Sequence, residues 1–216
     1  RDCDPVILSA MEKAVADGRF YDFFPDHVNY FSAQTLAYAC RRNGMRTSSI
    51  VPTMADEYIT AFVTPERAGS DQASRPGDHM DLSAVAAAIE TTISALLGFL
   101  QERRDRGQRV AAWGSGGKGV STFAAASPLE GIAYVVDADP RKQGHFMPVS
   151  HFEVHSPDRL VQDPVDCVLV TAIAHAAEIE DILRRDLGFD GTIALLGDGI
   201  DIHEKGQASA APGDRQ

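Results

Sequence analysis

Apolar residues recur with two different periods along this chain, and the change of period divides it. Over residues 6–16 they fall at helical spacing, so the stretch reads as a helix. Residues 20–31 are rich in aromatics and broken by Pro25. Ser32 is placed to cap a helix over 33–43, which Gly44 would end in a left-handed conformation. Residues 45–51 and 57–63 read as two strands of a hairpin. Residues 65–79 carry almost no large apolar side chain and read as a linker or surface loop. A long helix is predicted over 82–106. It would put Leu82, Val85, Ala86, Ile89, Ile93, Leu96, Leu97 and Leu100 on one core-facing side. Beyond it short apolar runs (110–113, 132–136, 165–171, 192–196) alternate with helical stretches (120–126, 175–187). That alternation predicts a parallel sheet covered on both faces.

Composition narrows the classes of partner. With 20 basic against 31 acidic residues the chain carries a formal charge of −11, and no Lys/Arg block reverses the sign locally. Nucleic acid and anionic lipid would find little attraction here. No run approaches eighteen uninterrupted apolar residues, so no membrane span is expected. Cys3, Cys40 and Cys167 are widely separated and odd in number, which argues against a zinc knuckle or a redox pair. They read as reduced thiols and suggest a cytoplasmic location. The chain opens on Arg1 rather than Met, which reads as processing or as a piece of something longer. Residues 201–216 read as a flexible tail.

Gly114-Ser115-Gly116-Gly117-Lys118-Gly119 fits G-x-G-x-x-G and lies between a predicted strand and a predicted helix. Gly114 would allow the tight turn, Gly116 the approach of a pyrophosphate, and Gly119 close helix–sheet packing. Lys118 adds a cation, and Asp137, ending the next strand, stands where a ribose would donate hydrogen bonds. The pattern predicts a Rossmann-like domain with an NAD-type nucleotide as one candidate ligand. The same glycines serve equally well for packing alone.

The stretch from Phe20 to Ser32 holds His27 among aromatic residues, with Asp22 and Asp26 nearby. An imidazole beside a carboxylate in an aromatic cleft suits general-base work. A histidine that only caps the next helix would carry the same sequence. His145, His151 and His155 sit in an irregular segment, and no metal is assigned to them.

At these residues the chain resembles a known family. The run Asp26-His27-Val28-Asn29-Tyr30-Phe31-Ser32, then Thr35-Leu36 and Asn43-Gly44, is similar to the late part of a class I S-adenosylmethionine-dependent methyltransferase. The stretch from Trp113 to Gly119, the run Val135-Val136-Asp137-Ala138-Asp139-Pro140 with Lys142-Gln143-Gly144, and Ser156-Pro157 are similar to the C-terminal domain of sugar C-methyltransferases. The resemblance implies a nucleotide-linked keto-deoxy sugar as substrate and S-adenosylmethionine as methyl donor. It implies a base, matching His27, that removes the proton beside the ketone, so that the enolate attacks the sulfonium methyl group. Asp26 matches the neighbouring acid, which is Glu in the family, and Tyr30 would sit close to the substrate. A donor tyrosine of some sugar enzymes is replaced by Phe24.

The expected organisation is α/β: a C-terminal Rossmann-like parallel-sheet domain preceded by an incomplete class I methyltransferase-like portion. The divisions are 1–64 for that portion, 65–80 for the linker, 81–200 for the Rossmann-like domain and 201–216 for the tail. The acidic Gly-rich donor motif is expected upstream of Arg1, so the S-adenosylmethionine site would lie mostly outside the chain. A further segment or another subunit would then cover the incomplete portion. The competing reading is a stand-alone nucleotide-binding module or a non-catalytic docking domain.

Overall fold

Two prolines decide where the first sheet can end. Pro5 and Pro52 cannot donate to a ladder on both sides, and both lie in edge strands of a sheet ordered β1-β3-β2. The computed structural model describes residues 4–24, 27–53, 58–65, 81–197 and 199–203. Most of the predicted linker (66–80), the segment 204–216, Arg1 and Cys3 lie outside the described residues. The chain forms two compact units, Arg1–Ala88 and Ile89–Gln216.

The first unit contains β1 (Asp4–Ser9), α1 (Met11–Ala16), a 3-10 turn (Phe20–Asp22), α2 (Ala33–Arg42), β2 (Met45–Thr53) and β3 (Tyr58–Pro65). The single helix predicted over 6–16 is a strand followed by a short helix. Val6 and Leu8 pair with Ala61 and Ile59 on β3 and bury one face, while Ile7 points away at 55% exposure. That alternation is a strand's period of two. The hairpin of β2 and β3 is antiparallel, as its pattern implied. Ile59, Ala61 and Val63 pack with Leu36 and Cys40 of α2. Ser32 caps α2 reciprocally: its hydroxyl accepts the Thr35 N–H at 3.1 Å, and Thr35 Oγ1 accepts the Ser32 N–H at 2.8 Å. Gly44, at φ 70°, ends it.

α3 (Ser83–Asp105) begins in the first unit and continues into the second. Over eighteen residues its mean hydropathy reaches 1.6, so by length and composition alone it could cross a membrane. No uninterrupted apolar run signals this, because Ala, Leu and Ile are punctuated by Glu90, Thr91, Thr92 and Ser94. Its inward side is rotated from the predicted one. Val85, Thr92, Leu96, Phe99, Leu100 and Arg103 are buried, whereas Leu82 and Leu97 are exposed. Arg103 is accommodated because its guanidinium stacks on Phe99 at 4.9 Å and donates to Gln108 Oε1 at 3.1 Å.

The second unit adds β4 (Val110–Trp113), α4 (Gly117–Ala125), β5 (Ile132–Val136), β6 (Val154–His155), α5 (Arg159–Gln162), β7 (Cys167–Val170), α6 (Ala176–Asp181), β8 (Thr192–Leu196) and β9 (Ile200–His203). Its sheet runs β6-β5-β4-β7-β8-β9, parallel except for the antiparallel pair β8 and β9. The chain thus winds outward from β4 to β6, returns, and winds the other way from β7, which is the Rossmann order. The strands alternate between two cores. Val110, Ala112, Leu169 and Ala194 face α3 and α4 through Leu96, Leu100 and Phe123. Ala111, Trp113, Val168 and Ile193 face Leu160, Ile179 and Leu183 on the other side. An extra residue bulges β5 at Ala133–Tyr134, so Ile132 and Val135 share a face and Ala133 is left exposed. The segment predicted as a tail from residue 201 begins instead with strand residues of β9.

Candidate functional site

In a sheet wound in this order, the place where the winding reverses leaves a crevice at the carboxyl ends of the two central strands. Here those strands are β4 and β7. A crevice of about 190 Å³ lies there, lined by Gly116 to Gly119 at the start of α4 and by Thr171 to His175 after β7. Lys118 is in this lining, as the sequence placed it. The two flanking glycines are demanded by packing. Gly114 has φ +117°, and a Cβ on it would lie 2.6 Å from Thr171 Oγ1. A Cβ on Gly119 would collide with the Gly114 carbonyl oxygen. Thr171 Oγ1 donates to that same oxygen at 2.9 Å, so strand, turn and helix are fastened together at one point. Gly116 has open space above it, apart from Lys142 Nζ at 3.9 Å from the Cβ position.

Asp137 is 8% exposed, and its carboxylate is already engaged. Oδ2 accepts the Ser115 N–H at 2.8 Å, the Ser115 hydroxyl at 2.7 Å and Lys142 Nζ at 3.1 Å. Oδ1 accepts the Asp139 N–H at 2.9 Å. Burial pushes this carboxyl's pKa up, but the hydrogen bonds from Asp139, Ser115 and Lys142 outweigh it and hold it below the ordinary carboxylate value. The sequence placed Asp137 as a ribose acceptor; in the structure its oxygens bind the turn's own donors. Both carboxylate oxygens of Asp137 are thus engaged within the chain, and the ribose-acceptor role is not open to them in this arrangement.

The lock has a measurable consequence. Asp137→Asn puts an amide, with one acceptor oxygen, where a carboxylate accepted four hydrogen bonds, and it is expected to destabilise the second unit by about 1.5–3 kcal/mol at neutral pH. A carboxyl with depressed pKa contributes stability above its unfolded-state value and loses it as pH falls through its folded-state value. The gap between wild type and variant should therefore narrow below the ordinary carboxylate range. Urea denaturation at a series of pH values reads it; a gap that stays constant into acid contradicts the assignment.

The histidine segment belongs to the first unit. Arg19 N–H donates to the Ala14 carbonyl at 2.7 Å, its guanidinium pairs with Asp22 at 3.1 Å, and Phe20 is buried. At the far end Ala10 and Phe31 form a parallel bridge, and the Ala33 N–H donates to Glu12 Oε1 at 2.6 Å. Between these ties His27 is exposed. Its ring meets Phe24 edge-on at 4.9 Å and lies 5.9 Å from the Tyr30 ring. The structure thus brings His27 and Tyr30 together. Asp26 lies outside the described residues. Asp22, the other nearby acid, is engaged with Arg19.

Other reactive groups are occupied elsewhere. Burial pushes the Cys167 thiol up to about 12, which removes it as a nucleophile near neutral pH. Arg159 Nη1 is 3.2 Å from His155 Nε2, and the guanidinium stacks on Tyr134 at 4.8 Å. Among the described residues no three His, Cys, Asp or Glu side chains are grouped to hold a metal. Among the described residues of the first unit no Gly-rich turn follows a strand. Sequence reasoning missed Ser115 and Lys142 as the partners of Asp137. The Asp-x-x-x-x-Lys spacing from Asp137 to Lys142 was visible, but nothing local shows a chain folding back on itself.

No curated protein matches this chain. Residues 69–193, more than half of it, match the C-methyltransferase C-terminal domain family. The match covers β4 through the Gly-rich turn, Asp137 and the strands up to the start of β8. The second unit, a Rossmann-like domain with its Gly-rich turn locked by its own side chains, thus places this chain in the C-methyltransferase C-terminal domain family.

Proposed function

We propose that the chain is part of an S-adenosylmethionine-dependent C-methyltransferase that acts at a carbon next to a ketone, on a nucleotide-linked keto-deoxy sugar or a related small molecule, with His27 as the proton-abstracting base. The observation that carries the reading is the family membership of residues 69–193. His27 supports the finer part, because its ring is open to solvent and reachable by a substrate while Phe24 and Tyr30 flank it. Making a carbon nucleophile beside a carbonyl requires a positioned base. His27 takes the carbon-bound proton as the electron pair moves into the enolate, and later returns that proton to water. S-adenosylmethionine, when bound, supplies the methyl electrophile. Its site is completed by a further segment or subunit, and Asp26, which precedes His27 in the sequence, is the acid that assists the base. Free Cys40 and Cys167 fit a reducing, cytoplasmic setting.

The test is direct. The complete enzyme, incubated with a nucleotide-linked keto-deoxy sugar and S-adenosylmethionine, should add one methyl group to a carbon adjacent to the ketone, as located by mass spectrometry and NMR. In deuterated water without methyl donor, the proton at that carbon should wash out. Binding of NAD with no methyl transfer, or methylation at oxygen or nitrogen, overturns the reading.

A further inference from the structure

One backbone carbonyl connects the two residues of the histidine segment. The Phe24 carbonyl oxygen accepts the His27 N–H at 3.0 Å. The same oxygen accepts the Tyr30 hydroxyl, also at 3.0 Å. A carbonyl oxygen can accept two hydrogen bonds, and here it accepts both. The Tyr30 ring is half-buried and packs against Phe23 at 5.0 Å between ring centres. Its neighbour Phe31 is bridged to Ala10, and the Met11 N–H donates to the Phe31 carbonyl at 3.4 Å. The tyrosine therefore stands on the fixed side of the loop and reaches back to the side that carries His27. Val28, between them, is 90% exposed and contributes no packing that could hold His27 in place.

A phenol has a single donor hydrogen. Once that hydrogen is given to the Phe24 carbonyl, it is not available to a substrate enolate. We propose that Tyr30 is a positioning residue: its hydroxyl pins the Phe24 carbonyl and so steadies the His27 backbone bonded to the same oxygen, and with it the imidazole. This differs from the role implied by resemblance, in which Tyr30 sits close to the substrate. The effect of Tyr30 on turnover rests on His27 being the base, whereas the anchor itself does not.

The experiment compares wild type with Tyr30→Phe in the full chain, and reads amide hydrogen exchange by NMR together with steady-state kinetics of the complete enzyme. Removing one donor from a shared carbonyl should speed exchange at the His27 amide by about two- to tenfold. The α2 amides of Leu36 and Cys40 should not change. Turnover should fall with KM unchanged, because the substrate loses an aligned base and no contact. Three results overturn the anchor. The His27 amide could exchange at the wild-type rate; exchange could accelerate through α2 as well; or KM could rise while His27 exchange stays the same, which would mean that the hydroxyl meets substrate. If His27 exchange accelerates locally but His27→Asn retains full turnover, the anchor stands and the base assignment fails.

Discussion

Replacing His27 by Asn should lower methyl transfer by about 10²–10⁴-fold, the contribution of a positioned general base. That corresponds to about 3–5 kcal/mol of activation free energy. Asparagine keeps a polar side chain of similar reach but cannot take up the proton. The fold should tolerate the change. His27 is exposed, its ring contacts are to Phe24 and Tyr30, and its hydrogen bond to the Phe24 carbonyl uses the backbone N–H, which asparagine retains. Binding of S-adenosylmethionine by the complete enzyme should be unaffected, and proton washout from the ketone-adjacent carbon should fall in parallel with methyl transfer. Added imidazole should restore part of the lost rate by substituting for the missing base. Full turnover in the variant would remove His27 from the mechanism. Unchanged washout with slow methyl transfer would place its role after proton removal.

Gly119→Ala should be a severely damaging single-methyl substitution in the second unit. The new Cβ would run into the Gly114 carbonyl oxygen and stand 2.9 Å from Thr171 Oγ1. Neither neighbour can yield easily. Gly114 is held by its own close approach to Thr171 and by its N–H to the Val136 carbonyl at 2.9 Å. Thr171 is buried and bonded to the oxygen that would be displaced. Relief would require α4 to lift from the sheet, withdrawing Phe123 from a core in which it is fully buried. Overpacking a rigid site costs about 1–3 kcal/mol and sometimes more, and here it also breaks a buried hydrogen bond, so a loss of at least about 3 kcal/mol is expected. For a unit of this size the thermal midpoint should fall by roughly 10 °C. Calorimetry measures it. A variant melting within a degree or two of wild type would show that the turn can relax and that its glycines are not explained by packing.

The strands over 110–113, 132–136 and 192–196 could be read directly, because a run buried on both sides has no polar residue to obscure it. α2 was legible through Ser32 and Gly44, whose roles are local. β1 was not, because Val6, Ile7 and Leu8 lead straight into Met11, Ala14 and Val15 and so satisfy a helical spacing across a chain break in period. β6 has two residues and no pattern of its own. β9 alternates correctly as Ile-Asp-Ile-His but adjoins polar sequence that hides it.

The candidate sites divide in the same way. The Gly-rich turn was visible, yet whether its carboxylate is free depends on Ser115 and Lys142 converging on Asp137, a tertiary fact. His27 was singled out by the chemistry of its neighbours. The use of the Tyr30 hydroxyl was beyond reach, because it depends on which carbonyl the folded loop brings to it.

β9 runs against the direction of the other five strands, and His203 pairs with Ile193 near the beginning of β8. The strand turns back beside the carboxyl ends of the parallel strands and leaves the sheet at their amino ends. There the His203 ring is held between Glu180 at 3.3 Å and Asp201 at 3.4 Å. A fluorophore or surface tether attached at this strand's end would therefore sit on the far rim from the crevice. Immobilisation through that rim would keep the attachment point away from the Gly-rich turn and the loop after β7.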